Sequence, residues 1–192
     1  VMRRFLFMLV VSGIVLSACS SGSNPEQQAE NPLFENETHQ AFFNNLASLC
    51  GNTYQGEQIY RSHHSSGWAH LDLIMKVSVC EEGQILIPFQ VGEDHSRTWM
   101  FISEEGRLRF RHDHRHPDGT PEDDTLYGGY ADLNGSAFVQ HFPADEYTGT
   151  IIEGGSGNIW TVSISEDFTT FSYRLERDGE KRLRIDFDLT KP

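Results

Sequence analysis

Apolar and polar residues alternate along most of the chain after residue 70. A period of two is typical of β-strands in which one face packs on a core and the other faces water. The alternation returns several times and predicts a series of strands, of which the clearest cover residues 71–79, 85–91, 107–116, 160–164, 171–175 and 183–189.

Short turns join these segments. Residues 81–83, 104–106 and 178–179 have the acidic and glycine-containing composition of β-hairpin connections. Strands in up-and-down order with one apolar face close most naturally into a barrel, because closure leaves no exposed sheet edge. The predicted fold is therefore all-β, an up-and-down antiparallel barrel of about ten strands. A two-sheet β-sandwich is the alternative, since the sequence does not distinguish closure from stacking.

One segment ahead of the strands has a helical pattern. Phe42, Leu46 and Leu49 recur at helical spacing, which predicts one N-terminal helix over residues 38–49. Gly51 is a suitable stop, because glycine readily adopts the left-handed conformation in which many helices end.

The N-terminus has the pattern of an export signal. Two basic residues, Arg3 and Arg4, precede an apolar run at 5–15 that is too short to span a bilayer. The run is followed by Leu16-Ser17-Ala18-Cys19. This segment resembles the bacterial lipobox, in which a signal peptidase cuts before the cysteine and the thiol carries lipid. The resemblance implies a signal peptide at 1–18 and lipidation of Cys19.

The residues after Cys19 predict a tether. Residues 20–35 are rich in Ser, Asn, Gln, Glu and Pro, a composition typical of disorder. We therefore expect a lipidated disordered tether at 19–35 and a single barrel domain at 36–192. Ser20 stands where an Asp would resemble an inner-membrane retention signal. The expected location is the bacterial cell envelope, with the lipid anchor in the outer membrane and the domain facing the periplasm.

The charge of the chain is strongly acidic. It has 15 Lys and Arg against 28 Asp and Glu, a net charge of −13. Removal of the signal leaves 13 basic residues and all 28 acidic ones, a net charge of −15. Such a charge repels nucleic acid, so nucleic acid is excluded as a general partner. The expected contact with the membrane is the lipid anchor, and no pattern addresses the oligomeric state.

Two cysteines remain once Cys19 is assigned to lipid. Cys50 and Cys80 form an even pair in an exported, oxidising context. A disulfide between them is the economical interpretation. Two free thiols or a metal-binding pair are the alternative.

The segment 107–116 holds the candidate chemistry. As a strand, it places His112, His114 and His116 on the face that begins with Leu108 and Phe110, which is expected to point into the barrel. Imidazole is a common ligand for transition metals and for haem iron. The candidates to complete such a site are His141, Asp118 and Asp123. The alternative, which the sequence favours, is a set of hydrogen-bonded histidines at a barrel mouth.

The opposite face of this strand carries arginines. They are Arg107, Arg109, Arg111 and Arg115. Guanidinium groups suit the capture of an anionic headgroup, phosphate or polysaccharide. The favoured interpretation is pairing with carboxylates such as Asp186 or Asp188, because nearly every predicted strand has a charged, solvated face.

Two family resemblances cover parts of the chain. Residues 46–54, L-A-S-L-C-G-N-T-Y, lie between the predicted helix and the strands. This arrangement resembles the start of a calycin (lipocalin-like) barrel, which implies a small apolar ligand or haem inside. Residues 112–121, H-D-H-R-H-P-D-G-T-P, and the later Tyr127-Gly128-Gly129 resemble a group of small bacterial secreted lipoproteins. That resemblance implies no activity and no catalytic residue.

No enzyme motif is present. The sequence lacks Gly-x-Ser-x-Gly, Walker, dinucleotide-binding, zinc-finger and H-E-x-x-H patterns. Binding is therefore favoured over catalysis, and the first hypothesis is a barrel that binds a small ligand. The second is a metal-dependent hydrolase or lyase that uses the three histidines at 112, 114 and 116. The third is a non-catalytic module for protein interaction in the envelope.

Overall fold

The computed structural model describes residues 32–65 and 67–192. The predicted signal peptide, Cys19 and most of the predicted tether lie outside the described residues. Phe34 is buried, and the backbone N–H of Glu35 donates to the carbonyl of Gly106 at 2.8 Å. Phe34 and Glu35, which precede the predicted domain boundary at residue 36, therefore already contact the rest of the described chain.

Antiparallel strands make up most of the fold. The strands of the first half are β1 (Thr53–Arg61), β2 (Leu73–Lys76), β3 (Val79–Glu81), β4 (Gln84–Val91), β5 (Asp94–Glu104) and β6 (Arg107–His114). Those of the second half are β7 (Tyr127–Tyr130), β8 (Val139–Pro143), β9 (Asn158–Ile164), β10 (Thr170–Arg177) and β11 (Glu180–Asp188). The predicted hairpin turns join β3 to β4, β5 to β6 and β10 to β11.

Ten of these strands form one continuous sheet. Their order is β7-β6-β5-β4-β2-β1-β11-β10-β9-β8, and β3 pairs with β4 beside this path. Almost all neighbours in space follow each other along the chain, as in an up-and-down meander. The exceptions are β2 and β4, between which β3 lies in the chain, and the antiparallel pair of β1 and β11, which joins the first strand to the last.

The sheet is a nearly closed barrel with its seam between β7 and β8. At the seam the N–H of Asp145 donates to the carbonyl of Gly128, and that of Asp132 to the carbonyl of His141, each at 2.9 Å. Between these bonds, a β-carbon on Gly129 would lie 1.8 Å from the carbonyl oxygen of Pro143. Only glycine permits so close an approach. The predicted ten-strand barrel is confirmed, and the sandwich alternative is wrong.

The predicted strand at 71–79 is divided in the structure. Val77 leaves the β1–β2 ladder, since its N–H donates to the carbonyl of Asn52 and its carbonyl accepts from Gly51. Ser78 then donates to Leu86 on β4. Leu71 precedes β2 and is 37% exposed. Alternation alone did not reveal this break, because the apolar period continues through it.

Aromatic rings fill the centre of the barrel. Trp99 stacks on Tyr173 and Phe89, with ring centroids 4.7 and 4.5 Å apart, and Phe101 stacks on Phe110 at 4.7 Å. Each such ring contributes about 1.5–3 kcal/mol when it is fully buried. The largest fully buried side chains are Trp99, Trp160, Phe42, Phe101, Phe110, Phe142, Phe171 and Phe187.

Helix α1 (Glu37–Ala47) covers one end of the barrel, which we call the plugged end. The side chain of Asn36 caps it by accepting from the N–H groups of Thr38 and His39. Phe42 is fully buried, 6.2 Å from the ring of Phe101. Cys50, just after the helix, forms a disulfide with Cys80 on β3. The predicted helix and disulfide are both present.

The helices are short. Helix α1 has 11 residues, and helix α2 (Glu146–Ile151) has 6. Within residues 32–65 and 67–192, no helix is long and apolar enough to cross a membrane.

Candidate functional site

The end of the barrel opposite the plugged end, which we call the mouth, contains a cavity. Strand β6 starts beside Glu35 at the plugged end and ends at His114. There the connections that follow β1, β6 and β8 contribute lining residues, among them Trp68, Asp124 and Ile152. The cavity measures about 280 Å³. Side chains from several strands and loops line it, including Trp68, Asp124, Trp160, Tyr173, Arg177 and Arg182.

The three histidines of β6 and its extension run from the core to solvent. His112 is 3% exposed, His114 is 9% exposed, and His116 lies in the exposed loop beyond the strand. The buried residues Leu108 and Phe110 precede them on the same face. The predicted inward direction of this face is therefore correct, while the three side chains have different surroundings.

His112 is a hydrogen-bonded core residue. Its Nδ1 lies 3.3 Å from the carbonyl of Tyr127, and its Nε2 lies 2.9 Å from the hydroxyl of Tyr173. A carbonyl only accepts, so Nδ1 carries the proton and Nε2 accepts from the tyrosine. Burial, with a smaller contribution from nearby His114, lowers the pKa of His112 to about 3. Both ring nitrogens of this neutral side chain therefore have hydrogen-bond partners, and neither is available to bind a metal ion.

His114 faces carboxylates at the mouth. Its Nε2 lies 3.3 Å from the hydroxyl of Tyr127, and its Nδ1 lies 3.8 Å from Oε2 of Glu122. One ligand atom from each of His114, Glu122 and Asp124 lies within 4.8 Å of the others. Burial lowers the pKa of His114, as does Arg97, and the two carboxylates oppose this shift.

The loop after β6 places these carboxylates beside His114. It folds back along the strand, so that the N–H of Glu122 donates to the carbonyl of His114 at 3.0 Å. The N–H of Leu126 donates to the carbonyl of His112 at 2.6 Å. Leu126 has a φ of +60°, an uncommon value for a branched side chain. This local kink between Thr125 and β7 separates the loop from regular strand pairing.

The other predicted ligands lie elsewhere. Asp118 is exposed, and its carboxylate accepts from the N–H and hydroxyl of Thr120 in its own turn, at 2.9 and 2.6 Å. His141 lies on β8 beside the inward-facing Phe142, with its Nδ1 3.0 Å from the hydroxyl of Thr161. Neither residue belongs to the His114 cluster, and nor do His116 and Asp123.

Sequence reasoning missed Glu122 and Asp124. The sequence analysis considered two other carboxylates of the same loop after β6, Asp118 and Asp123. The available signal was the two-residue spacing of Glu122 and Asp124, because such residues share one side of an extended segment. The sequence did not show that this segment runs back along β6.

The wall of the mouth cavity combines rings and arginines. Nε of Arg177 donates to Oδ1 of Asn158 at 2.7 Å. Arg182 forms an ion pair with the exposed Glu180 at 3.2 Å. The buried Nε of Arg182 has no hydrogen-bond partner within the described part of the chain. The cavity therefore offers flat apolar surfaces from Trp160 and Tyr173 beside positive charge.

The arginines on the outer face of β6 form a local ionic network. Arg109 contacts Glu104 and Asp145, and Arg111 pairs with Asp145 at 2.8 Å. Arg107 lies over the ring of Tyr130 at 3.8 Å. The expected pairing with carboxylates is present, but the suggested partners were wrong. Asp186 pairs with Arg184, and Asp188 with Lys191.

Comparisons with known proteins identify no relative. No family model matches the chain, no curated protein matches it, and no solved structure matches it. The nearly closed ten-strand antiparallel barrel is consistent with a calycin-like fold.

Proposed function

We propose that the protein is a lipid-anchored envelope lipoprotein whose barrel mouth binds a small, mainly apolar ligand with an acidic group. The observation that carries this proposal is the cavity of about 280 Å³ at the mouth. Binding sites for small molecules are typically concave and apolar, with a few polar groups that orient the ligand.

The lining suggests how such a ligand is held. Trp160 and Tyr173 offer flat surfaces against which an apolar group packs. Arg177 and Arg182 add positive charge to the wall, which attracts a carboxylate, sulfonate or phosphate. Because aromatic side chains pack the barrel centre, the ligand is expected at the mouth and not deep inside.

The N-terminal sequence supports an anchored protein. The lipobox-like segment ends at Cys19, and a polar segment separates it from the packed chain at Phe34. We propose that this segment tethers the barrel to the outer membrane on its periplasmic side, because Ser20 stands where an Asp would resemble an inner-membrane retention signal. A Cys19→Ala variant should then leave the membrane fraction and appear as soluble protein.

The binding proposal is tested on the full-length chain extracted in mild detergent. Native mass spectrometry should reveal a noncovalent adduct of small mass. Anilinonaphthalene sulfonate, a dye with flat rings and one sulfonate, should bind with one site and quench tryptophan fluorescence. Arg182→Gln should weaken dye binding about tenfold, as expected for loss of a charged hydrogen bond. The matched control is Arg184→Gln, which removes an arginine of the same strand whose partner is Asp186.

Two results would contradict the proposal. One is a chain that carries no adduct and binds no dye. The other is equal dye affinity in Arg182→Gln and the control, which would place the dye outside the mouth. A retained protein partner together with an empty cavity would support the alternative of an interaction module.

A further inference from the structure

We propose that His114, Glu122 and Asp124 bind one divalent transition-metal ion, best matched by Zn²⁺, at the rim of the mouth. Zinc accepts imidazole nitrogen and carboxylate oxygen together, at about 2.0–2.2 Å. The inference does not depend on the lipid anchor or on a ligand in the cavity.

The distances are close to those of a metal centre. Tetrahedral ligands with bonds of this length lie roughly 3.5 Å apart. Nδ1 of His114 and Oε2 of Glu122 are 3.8 Å apart, and all three ligand atoms lie within 4.8 Å of one another. Asp124 is exposed, so a rotation that brings its carboxylate in by about 1 Å completes the set at little cost.

The present contacts do not satisfy the cluster. A separation of 3.8 Å is too long for a hydrogen bond, so His114 and Glu122 do not bond directly. The nearby cation Arg97 pairs with Asp94 and lies over the ring of Trp68. A metal ion would offset the repulsion between the two carboxylates and use Nδ1, which has no hydrogen bond to any residue of 32–65 or 67–192.

The ring of His114 is already oriented for this role. Its Nε2 lies within reach of the Tyr127 hydroxyl, and Tyr127 stacks on His112 with centroids 4.4 Å apart. With a metal on Nδ1, Nε2 carries the proton and donates it to the tyrosine oxygen. Such partners of the second ring nitrogen fix the orientation of metal-binding histidines.

The number of ligands indicates an open site. Three protein ligands leave a fourth position of the zinc ion for water or another donor. Asp124 also lines the mouth cavity. The ion would therefore lie at the edge of the cavity, where a donor atom of a bound small molecule can reach it.

The test uses metal-stripped, full-length protein without a histidine tag. Calorimetric titration with Zn²⁺ should give one site, and Co²⁺ should produce the visible absorption of a low-symmetry site with nitrogen and oxygen ligands. Asp124→Asn and Glu122→Gln should each weaken Zn²⁺ binding at least about tenfold. Asp124 is exposed, so its variant is expected to fold as the native protein does.

Matched controls separate this site from general binding by histidine and acidic side chains. Asp118→Asn changes an acidic residue of the same loop, and His141→Gln changes a histidine of the barrel wall. Both should bind Zn²⁺ as the native protein does. Zinc binding that is absent, that survives Asp124→Asn and Glu122→Gln unchanged, or that falls equally in the controls would overturn the proposal.

Discussion

The two ends of the barrel are built from different chemistry. At the plugged end, Phe42 of α1 packs on aromatic rings, and the Cys50–Cys80 disulfide ties the chain after the helix to β3. At the mouth, Glu122 and Asp124 surround His114, and a cavity remains beside them. One end buries apolar surface and the other keeps ionisable groups in contact with solvent.

The difference indicates a division between stability and binding. Burial of apolar surface is the main favourable contribution to folding, so the plugged end is expected to carry more of the stability. Partly exposed ionisable groups contribute little to stability but can recognise ligands or ions. The comparison predicts that a mutation at the plugged end leaves binding at the mouth unchanged. A mutation at the mouth should leave the stability nearly unchanged.

The largest expected effect is at the plugged end. Phe42→Ala should lower the free energy of unfolding by about 3–5 kcal/mol, because it removes a fully buried ring and leaves a cavity. Denaturant titration measures this change. Zn²⁺ affinity, measured where the variant is folded, should stay within about twofold of the native value. A large loss of Zn²⁺ affinity would show that the two ends are coupled.

The disulfide should have the next largest effect. Cys50→Ser combined with Cys80→Ser should cost about 2–4 kcal/mol, because the cross-link restricts the unfolded chain. Thermal unfolding with and without reductant checks this, and reductant should change the native protein but not the double variant. Equal unfolding temperatures in all four samples would mean that the cross-link contributes nothing.

A smaller effect is expected in the pH dependence of stability. It tests His112, which lies between the aromatic core and the mouth. The pKa of buried His112 is lowered to about 3, from 6.5 in the unfolded chain. The unfolded chain therefore binds the proton first, and stability falls as pH decreases from 6.5 towards 3. The slope is at most about 1.4 kcal/mol per pH unit.

His112→Gln should lower this slope, measured by denaturant titration in metal-free buffer between pH 7 and 4. The ionisable groups that face His112 are Tyr127, Tyr173 and His114. The tyrosine pKa values are raised and lie above the range of the experiment. His114 contributes in the same direction in both proteins. Identical slopes in the native and variant proteins would contradict a buried neutral imidazole at residue 112.

The smallest effect is expected in the loop at the mouth. Asp118→Asn should leave the unfolding temperature nearly unchanged, because this exposed carboxylate bonds only within its own turn in the described structure. Thermal unfolding measures it. A large loss of stability would mean that the turn at Asp118 supports the mouth more than its contacts indicate.

Most of the fold could be predicted because its signal is local. Alternation in β4, β9, β10 and β11 places apolar side chains on one face, and the Asp178-Gly179 turn has hairpin composition. The helix was predicted at 38–49 and lies at Glu37–Ala47. The division of 71–79 into β2 and β3 was not predictable, because it depends on two backbone hydrogen bonds: Gly51 donates to the carbonyl of Val77, and the N–H of Val77 donates to Asn52.

The candidate site was predictable only in part. The inward face of β6 followed from Leu108 and Phe110, and His112 and His114 are indeed buried there. The carboxylates that meet His114 were not identified, because their position depends on how the loop folds back. Asp118 and Glu122 are equally acidic in the sequence, but one bonds within its own turn and the other lies beside the imidazole.

The sequence by itself determined the strands with regular alternation, the helix, the pair of cysteines and the face on which the histidines lie. Each of these follows from spacing between residues that are near each other in the chain, or from the exported compartment that we expect from the N-terminal pattern. Only the tertiary structure decided where the barrel closes, which end is plugged and which carboxylates reach His114. The physical reason is that these features depend on contacts between segments that are distant in the chain. Local periodicity in the sequence does not predict which of these segments meet.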